Sequence, residues 1–445
     1  MIPGINRIYC EKTGEEYYTF AHESGLKVIV YPKKFSTYYA SLCVRFGSMN
    51  EHMCREGEDK EVFSDGIAHF LEHKMFEKPG GGDAFEDFAE FGGNGNAYTT
   101  KDYTSYLFSC TENFEDNLRI LLSFVFSPYF TDENVEKEKG IIAEEIKMYD
   151  ENPASRLYRE MLMCLYKNNP IRRNICGSVE SISKITPAML YRCYNEFYSP
   201  SNMYLTVCGD TTVSETAKIV DSVFNDMKTG LCKEKHNGCD DSCRLVKKFF
   251  SEPISPVSAN SKTYMDISIP SVLIAFKCDG TLSAYENEKK AIAYDMLSDM
   301  LFGKSSEFYY RMYCSGLTSS GIYLEYEWGD GYAHSSIAIV TENPEVATEQ
   351  ILSYIEEQKM NPVKKEEFER IKKTAWAEYM RGFDSTEEIA ESLVSSEACS
   401  LSVFTEADII ENMDYEYIIK ILKEDFSTDK MAVSVLLPKG EMKKC

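Results

Sequence analysis

From residue 15 to residue 48, apolar and polar positions alternate. The stretches YYTFAHESGLKVIVYP and TYYASLCVRFG carry this period of two, and Ser24-Gly25 breaks the first into two arms. They predict strands, the first folded as a hairpin. The period changes at Asp65. In DGIAHFLEHKMFE, Asp65 to Glu77, the apolar residues Ile67, Phe70, Leu71 and Met75 recur at helical spacing. Pro79, Gly80, Gly81 and Gly82 stop that helix, and Gly92-Gly93 stops a shorter one over DAFEDFAEFG. The arms of GNGNAYTTKDYTSYLFSCT, either side of Lys101-Asp102, predict a hairpin. Helices are expected at 112–128, 131–150 and 153–168, and from Thr186, with Pro187 in its first turn. A strand, MYLTVCGD, begins at Met203, and 213–228 is helical.

Over 229–261 the pattern dissolves into charge, Cys, Pro and Ser, which predicts a linker. Beyond it come a strand (SVLIAFKCDG), a helix from about 284 to 301, a loop at GKSS, a short helix and an aromatic strand pair at 322–341. Helices at 344–359, 364–382 and 385–399, a final helix near 405–423 and a strand, MAVSVLLP, complete the chain. The two halves share an order: strands, helix, strands, several helices, closing strand. The expected fold is α+β, with two similar domains at 1–229 and 262–445 joined by a linker at 230–261. Each should be a mostly antiparallel β-sheet with helices packed on one face.

A length of 445 residues exceeds what one core ordinarily holds, in keeping with two domains. The net charge of −24 is spread along the chain, which argues against a nucleic-acid partner or an anionic membrane surface. The start, MIPGINRIYCEKTGEEYY, has no apolar core of signal-peptide length, and no apolar run is long enough to span a membrane. The fifteen scattered cysteines then read as reduced thiols of a cytoplasmic protein. One cluster stands apart: Cys232, His236, Cys239 and Cys243 in CKEKHNGCDDSC. Four soft ligands could hold a structural zinc, but the spacing matches no common finger, and a polar linker that tolerates cysteine is the favoured reading.

The chemistry concentrates on the helix of Asp65 to Glu77. His69, Glu72 and His73 form H-x-x-E-H, and positions i, i+3 and i+4 share a helix face, roughly opposite the apolar one. Two imidazoles one turn apart suit zinc, and a carboxylate between them can act on the attacking water. A third ligand is sought in VEKEKGIIAEEIKMYD, residues 135–150. On a helical wheel Val135, Ile141, Ile142, Ile146 and Tyr149 make an apolar stripe, with Glu138 and Glu145 near its middle. Glu136 lies on the opposite side and Glu144 near the edge. Carboxylates in an apolar stripe are costly unless paired or metal-bound. Two on one line suggest a cation; the ordinary alternative is that one of them meets a buried Arg or Lys. His69, His73 and Glu145 would form an open His2Glu site with room for water, Glu72 the general base and Glu138 a support that orients a ligand.

The segments GIAHFLEHKMFEK (66–78), GNGNAYTTKDYTSYLF (93–108) and EKEKGIIAEEIKMYDENP (136–153) resemble the inverted-motif zinc peptidases of the pitrilysin, insulin-degrading enzyme and mitochondrial processing peptidase family. PSNMYLTVCGD from Pro200 and LFGKSSEFYYRMY from Leu301 extend the likeness, which is closest to small bacterial single-half members. The resemblance implies one Zn2+ per chain on His69, His73 and Glu145, Glu72 as catalytic base and Glu138 as the auxiliary catalytic glutamate. It also implies a peptide substrate held as an added strand along Asn96, Ala97 and Tyr98.

One departure matters. The family's Arg and Tyr, seven apart in the second half, polarise the scissile carbonyl. Here Arg311 is present, but Tyr313 and Ser319 or Ser320 fall where the pair is expected. This implies a heterodimer in which a homologous partner chain supplies Arg and Tyr, in preference to a homodimer. The expected activity is that of a zinc metalloendopeptidase acting in peptide turnover or precursor maturation. The rivals are a peptide-binding scaffold inactive without its partner, and a small-molecule metallohydrolase.

Overall fold

The computed structural model describes residues 4–55, 63–230, 245–248 and 250–440. The 232–243 cluster of cysteine and histidine lies outside them. In chain order the strands are β1 (Asn6–Tyr9), β2 (Glu16–Ala21), β3 (Lys27–Pro32), β4 (Tyr38–Val44), β5 (Met53–Arg55), β6 (Asn94–Thr99), β7 (Thr104–Cys110), β8 (Met203–Gly209), β9 (Leu245–Lys247), β10 (Asn260–Met265), β11 (Ser271–Lys277), β12 (Tyr323–Gly329), β13 (Tyr332–Val340) and β14 (Met431–Pro438). The helices are α1 (Ile67–Met75), α2 (Ala84–Glu90), α3 (Phe114–Val125), α4 (Asp132–Glu151), α5 (Pro153–Leu165), α6 (Val179–Ser183), α7 (Pro187–Phe197), α8 (Val213–Gly230), α9 (Ala284–Phe302), α10 (Glu307–Cys314), α11 (Pro344–Met360), α12 (Lys365–Arg381), α13 (Thr386–Ala398), α14 (Thr405–Asn412) and α15 (Tyr415–Asp425).

Two compact units result, and they do not follow chain order. One comprises Met1–Ile146, Asn174–Lys248 and Met380–Phe404; the other comprises Lys147–Arg173, Phe249–Tyr379 and Thr405–Cys445. The division therefore differs from a single cut at 230–261. Helix α5 counts with the second unit and α13 with the first. The stretch read as a linker also contains β9, which pairs antiparallel with β5, and the start of β10. Amphipathic periodicity shows that a helix has a face to bury, not which sheet will receive it.

The first unit is built on a seven-stranded sheet of order β1-β2-β3-β8-β4-β7-β6, antiparallel except at β3–β8. Leu42, Val44, Leu205 and Val207 point into the main core beneath α1, α3, α7 and α8. Their neighbours Cys43 and Tyr204 point to the other face and meet Val394 of α13. Helix α13 is held there by polar contacts as well. Glu397 pairs with Lys27 and Arg45, each at 2.6 Å, and Glu391 accepts from the Tyr39 hydroxyl at 2.9 Å.

The second unit repeats the arrangement in five strands, β10-β14-β11-β13-β12, with the parallel pair again at β10–β14. The main helical layer lies on one face, as the alternation requires, and a single helix lies on the other. Phe276 stacks edge-on against Phe426 at the end of α15. Lys277, next in the strand, reaches the Leu165 carbonyl of α5 at 2.9 Å and Glu252 at 3.0 Å. The single helix expected near 405–423 is two, α14 and α15. Asp414 accepts from the Tyr417 N–H at 2.8 Å and caps α15, a role Asp fills better than a helix interior. Among the described residues no helix is long and apolar enough to cross a membrane.

Candidate metal centre

Helix α1 is buried nearly all round. Ile67, Phe70, Leu71 and Met75 enter the core. Glu51 caps the N-terminus, its two oxygens accepting from the N–H groups of Gly66 at 2.9 Å and Ala68 at 2.8 Å. A carboxylate there also complements the helix dipole. On the polar side His69 and Glu72 are buried and His73 is about a quarter exposed.

Helix α4 supplies the facing carboxylates. Val135, Glu138, Ile142 and Ile146 are buried, and Glu145 is partly so. The wheel is narrower than the sequence implied, because Ile141 and Tyr149 are exposed. Glu144 is exposed as well. Oε1 of Glu145 lies 3.5 Å from Nε2 of His69, and its Oε2 lies 3.4 Å from Nε2 of His73. Glu138 turns the other way round the same histidine, with Oε1 3.0 Å from Nδ1 of His73. Its Oε2 is 3.4 Å from Nζ of Lys74, which is fully buried and also pairs with Glu77 at 2.6 Å. The alternative left open for the two glutamates, a buried cation, thus applies to Glu138.

Electrostatics follow this geometry. Burial alone would lower the pKa of His73, but the hydrogen bond to Glu138 and the nearby carboxylates of Glu145 and Glu72 prevail and raise it to about 10. Glu145 is held far below the usual carboxylate range by the adjoining imidazoles of His69 and then His73, against burial. Burial would raise Glu138, but the His73 hydrogen bond and the Lys74 charge hold it low.

The donors fit zinc. Two ligands of one tetrahedral zinc, with bonds of about 2.1 Å, stand about 3.4 Å apart. Each Glu145–histidine separation is close to that distance and long for a charge-assisted hydrogen bond, but the two are to different carboxylate oxygens. Glu145 Oε2 and His69 Nδ1 are buried without a hydrogen-bond partner. Buried polar atoms are ordinarily satisfied, and a cation would satisfy the carboxylate oxygen.

Strand β6 ends at the motif. Thr99 Oγ1 donates to Oε2 of Glu72 at 2.7 Å. Asn96, Ala97 and Tyr98 pair with Leu107, Tyr106 and Ser105 of β7, and β6 is the last strand of its sheet. The Tyr98 hydroxyl is committed to Glu391 and the Asn96 side chain accepts from its neighbour's N–H at 2.9 Å. In the second unit, Arg311 lies over the rings of Phe308 and Tyr354, 5.3 and 5.8 Å from their centroids, and Tyr313 is exposed.

Sequence reasoning missed Glu51, Lys74, Thr99 and Cys176. The Cys176 Sγ sits 3.8 Å from Nε2 of His69, and its thiol is pushed up to about 12 by burial and by Glu145, Glu72 and Glu51. Lys74, a lysine inside the apolar turn of the motif helix, was the one legible signal, since a buried lysine needs a carboxylate.

Residues 28–178 match the model "Insulinase (Peptidase family M16)" and 184–375 match "Peptidase M16 inactive domain". The chain is 33% identical to the "Uncharacterized zinc protease YmfH" of Bacillus subtilis over 98% of its own length and 100% of that protein. The crystal structure of a putative M16-like peptidase from Alicyclobacillus acidocaldarius superposes with a TM-score of 0.86 at 31% identity, covering 96% of this chain and 99% of the other. The periplasmic protease PqqL of Escherichia coli shares the fold alone, with a TM-score of 0.74 at 17% identity, and this chain spans 49% of it. With the motif helix, the facing glutamates and the two repeated sheets in place, the chain belongs to peptidase family M16, the insulinase and pitrilysin-like zinc proteases, as a small single-half member.

Proposed function

We propose that this chain is the catalytic subunit of a zinc metalloendopeptidase that hydrolyses peptides or unfolded segments. The observation that carries the reading is the placement of Glu145 between Nε2 of His69 and Nε2 of His73. These three residues would hold the zinc. Zinc held there would acidify a water and polarise the scissile carbonyl.

The chain's own groups account for the rest. Glu138 takes the Nδ1–H of His73 and so leaves Nε2 as the donor. Glu72, oriented by Thr99, takes the proton of the attacking water and returns it to the leaving amine. The edge of β6 aligns an extended peptide by main-chain pairing.

Arg311 is engaged with aromatic rings in its own unit, which supports a heterodimer in which a homologous chain supplies the carbonyl-polarising Arg and Tyr. The cytoplasmic setting expected from the cysteine usage is part of the same proposal. The test is metal content, paired with cleavage of a quenched peptide library with and without a homologous partner chain. About one zinc at this site and cleavage only in the mixture is the expected result. Strong cleavage by the chain alone would remove the partner. Zinc without cleavage in any mixture would favour a peptide-binding scaffold.

A further inference from the structure

The two units differ at one place where their plans correspond. In the first, α8 follows β8 directly and packs against β3 and α3. Ala217, Val220 and Val223 of α8 enter the main core. Phe224 meets Phe126, just past the end of α3, with ring centroids 5.3 Å apart. Arg119 of α3 donates to Ser222 of α8 at 3.1 Å and faces Asp226 at 3.9 Å. In the second unit β10, β14 and α11 hold the positions of β3, β8 and α3. Strand β14 is parallel to β10 and antiparallel to β11, and α11 follows the β12–β13 hairpin as α3 follows β6–β7. Among the described residues no helix takes the place of α8 there.

That position is an open groove of about 1180 Å³. Val433, Val435 and Leu437 of β14 form its floor, since alternate residues of a strand share a face. Val346 and Leu352 of α11 form a wall, and Val346 is 47% exposed. Along the edge strand Lys262 and Tyr264 stand beside Val435 and Leu437, whereas in the first unit Val28 and Val30 stand beside Leu205 and Val207. The polar edge keeps the groove wetted while its floor stays apolar. Exposed apolar surface rimmed by polar groups marks an interaction site. The rim is acidic: Glu342, Glu345, Glu349 and Glu356 line it against a single lysine, Lys262. Lys262 lies 3.5 Å from Glu345, and Lys359 pairs with Glu356 at 2.6 Å. Glu342 and Glu349 are exposed and have no ion-pair partner among the described residues.

We propose that this groove docks a basic amphipathic helix of another polypeptide. The filled position in the first unit shows the shape that fits: a helix whose apolar stripe is seated between a sheet face and a neighbouring helix. The acidic wall sets the charge. Where Arg119 of α3 faces an aspartate of α8, α11 presents carboxylates, so the docked helix carries Lys or Arg beside its apolar stripe. A second copy of this chain fits poorly, because a net charge of −24 on each copy opposes their approach to an acidic rim. The groove residues all belong to the second unit, and the inference does not rest on the metal centre.

The probe is a fluorescent 18-residue peptide with the sequence of α8, made basic on its polar side by Glu215→Lys, Asp221→Lys and Asp226→Lys. Its anisotropy is titrated with the full chain carrying Glu72→Gln, so that the peptide is not cleaved. Saturable binding is expected, weakened about tenfold or more by Glu342→Lys with Glu349→Lys in the chain, and by Val435→Asp. The two glutamates are exposed, so the charge variant keeps its fold even if Val435→Asp does not. Raising salt from about 50 to about 500 mM should also weaken binding, and the unaltered α8 peptide should bind about tenfold less tightly. Val220→Pro in the peptide should abolish binding. Equal binding of the proline peptide overturns the helix in favour of an extended strand added to β10. No binding, or binding indifferent to both groove variants, overturns the docking site. Self-association of the chain that Val435→Asp abolishes overturns it in favour of a second copy.

Discussion

Oε1 of Glu138 stands 3.0 Å from Nδ1 of His73. In the function proposed here that contact leaves Nε2 of His73 for the metal, and the same carboxylate meets the buried Lys74. Glu138→Gln keeps an acceptor for the Nδ1–H but removes the charge. Zinc affinity should fall about 10- to 100-fold. Stability should fall by about 1–3 kcal/mol, less than for a fully stranded charge because Glu77 still pairs with Lys74. Competition against a chelator and a melting curve measure both. Unchanged zinc affinity would show that Glu138 does not position His73.

Glu72→Gln separates metal binding from proton transfer. The amide still accepts from Thr99 and leaves His69, His73 and Glu145 in place. Bound zinc should stay near one per site while turnover drops about 10²- to 10⁴-fold. Turnover at the original rate would remove Glu72 as the base.

Glu145 and Glu144 are neighbours in sequence with opposite surroundings, one between two imidazoles and the other exposed. Glu145→Gln should lower zinc affinity by more than about 100-fold, and Glu144→Gln by less than about twofold. Isothermal titration of the metal-free protein with zinc gives the ranking. The reverse order would mean that the other face of α4 meets the motif helix.

A pH effect is expected in the second unit. Burial, then Glu288 and Asp295, raise Glu406 from the ordinary 4.5 to about 7. The folded chain therefore holds a proton between about pH 4.5 and 7 that the unfolded chain releases. Stability falls as pH rises through that window, and the penalty is complete above it. Glu406→Gln should stabilise the protein at pH 8 by about 1–2 kcal/mol, allowing for solvent screening, and by nothing at pH 4.5. Thermal melts at the two pH values test this. An equal gain at both would show that the carboxylate does not carry the effect.

What the sequence alone determined about this protein was local. Helical spacing put His69, Glu72 and His73 on one side of α1 and Glu138 and Glu145 on one side of α4, because residues three, four or seven apart share a helix face whatever surrounds it. Strand alternation gave the two repeated sheets for the same reason. Long-range meetings were decided only in the folded chain. Nothing near Glu138 announces Lys74, and nothing near Cys176 announces His69, 107 positions away. The exposure of Ile141 and Tyr149 depended on how wide a face of α4 the core could cover. The assignment of α5 and α13 to opposite units depended on which sheet had an open face. Such choices rest on the packing of distant surfaces, and periodicity within a segment carries no record of its partner.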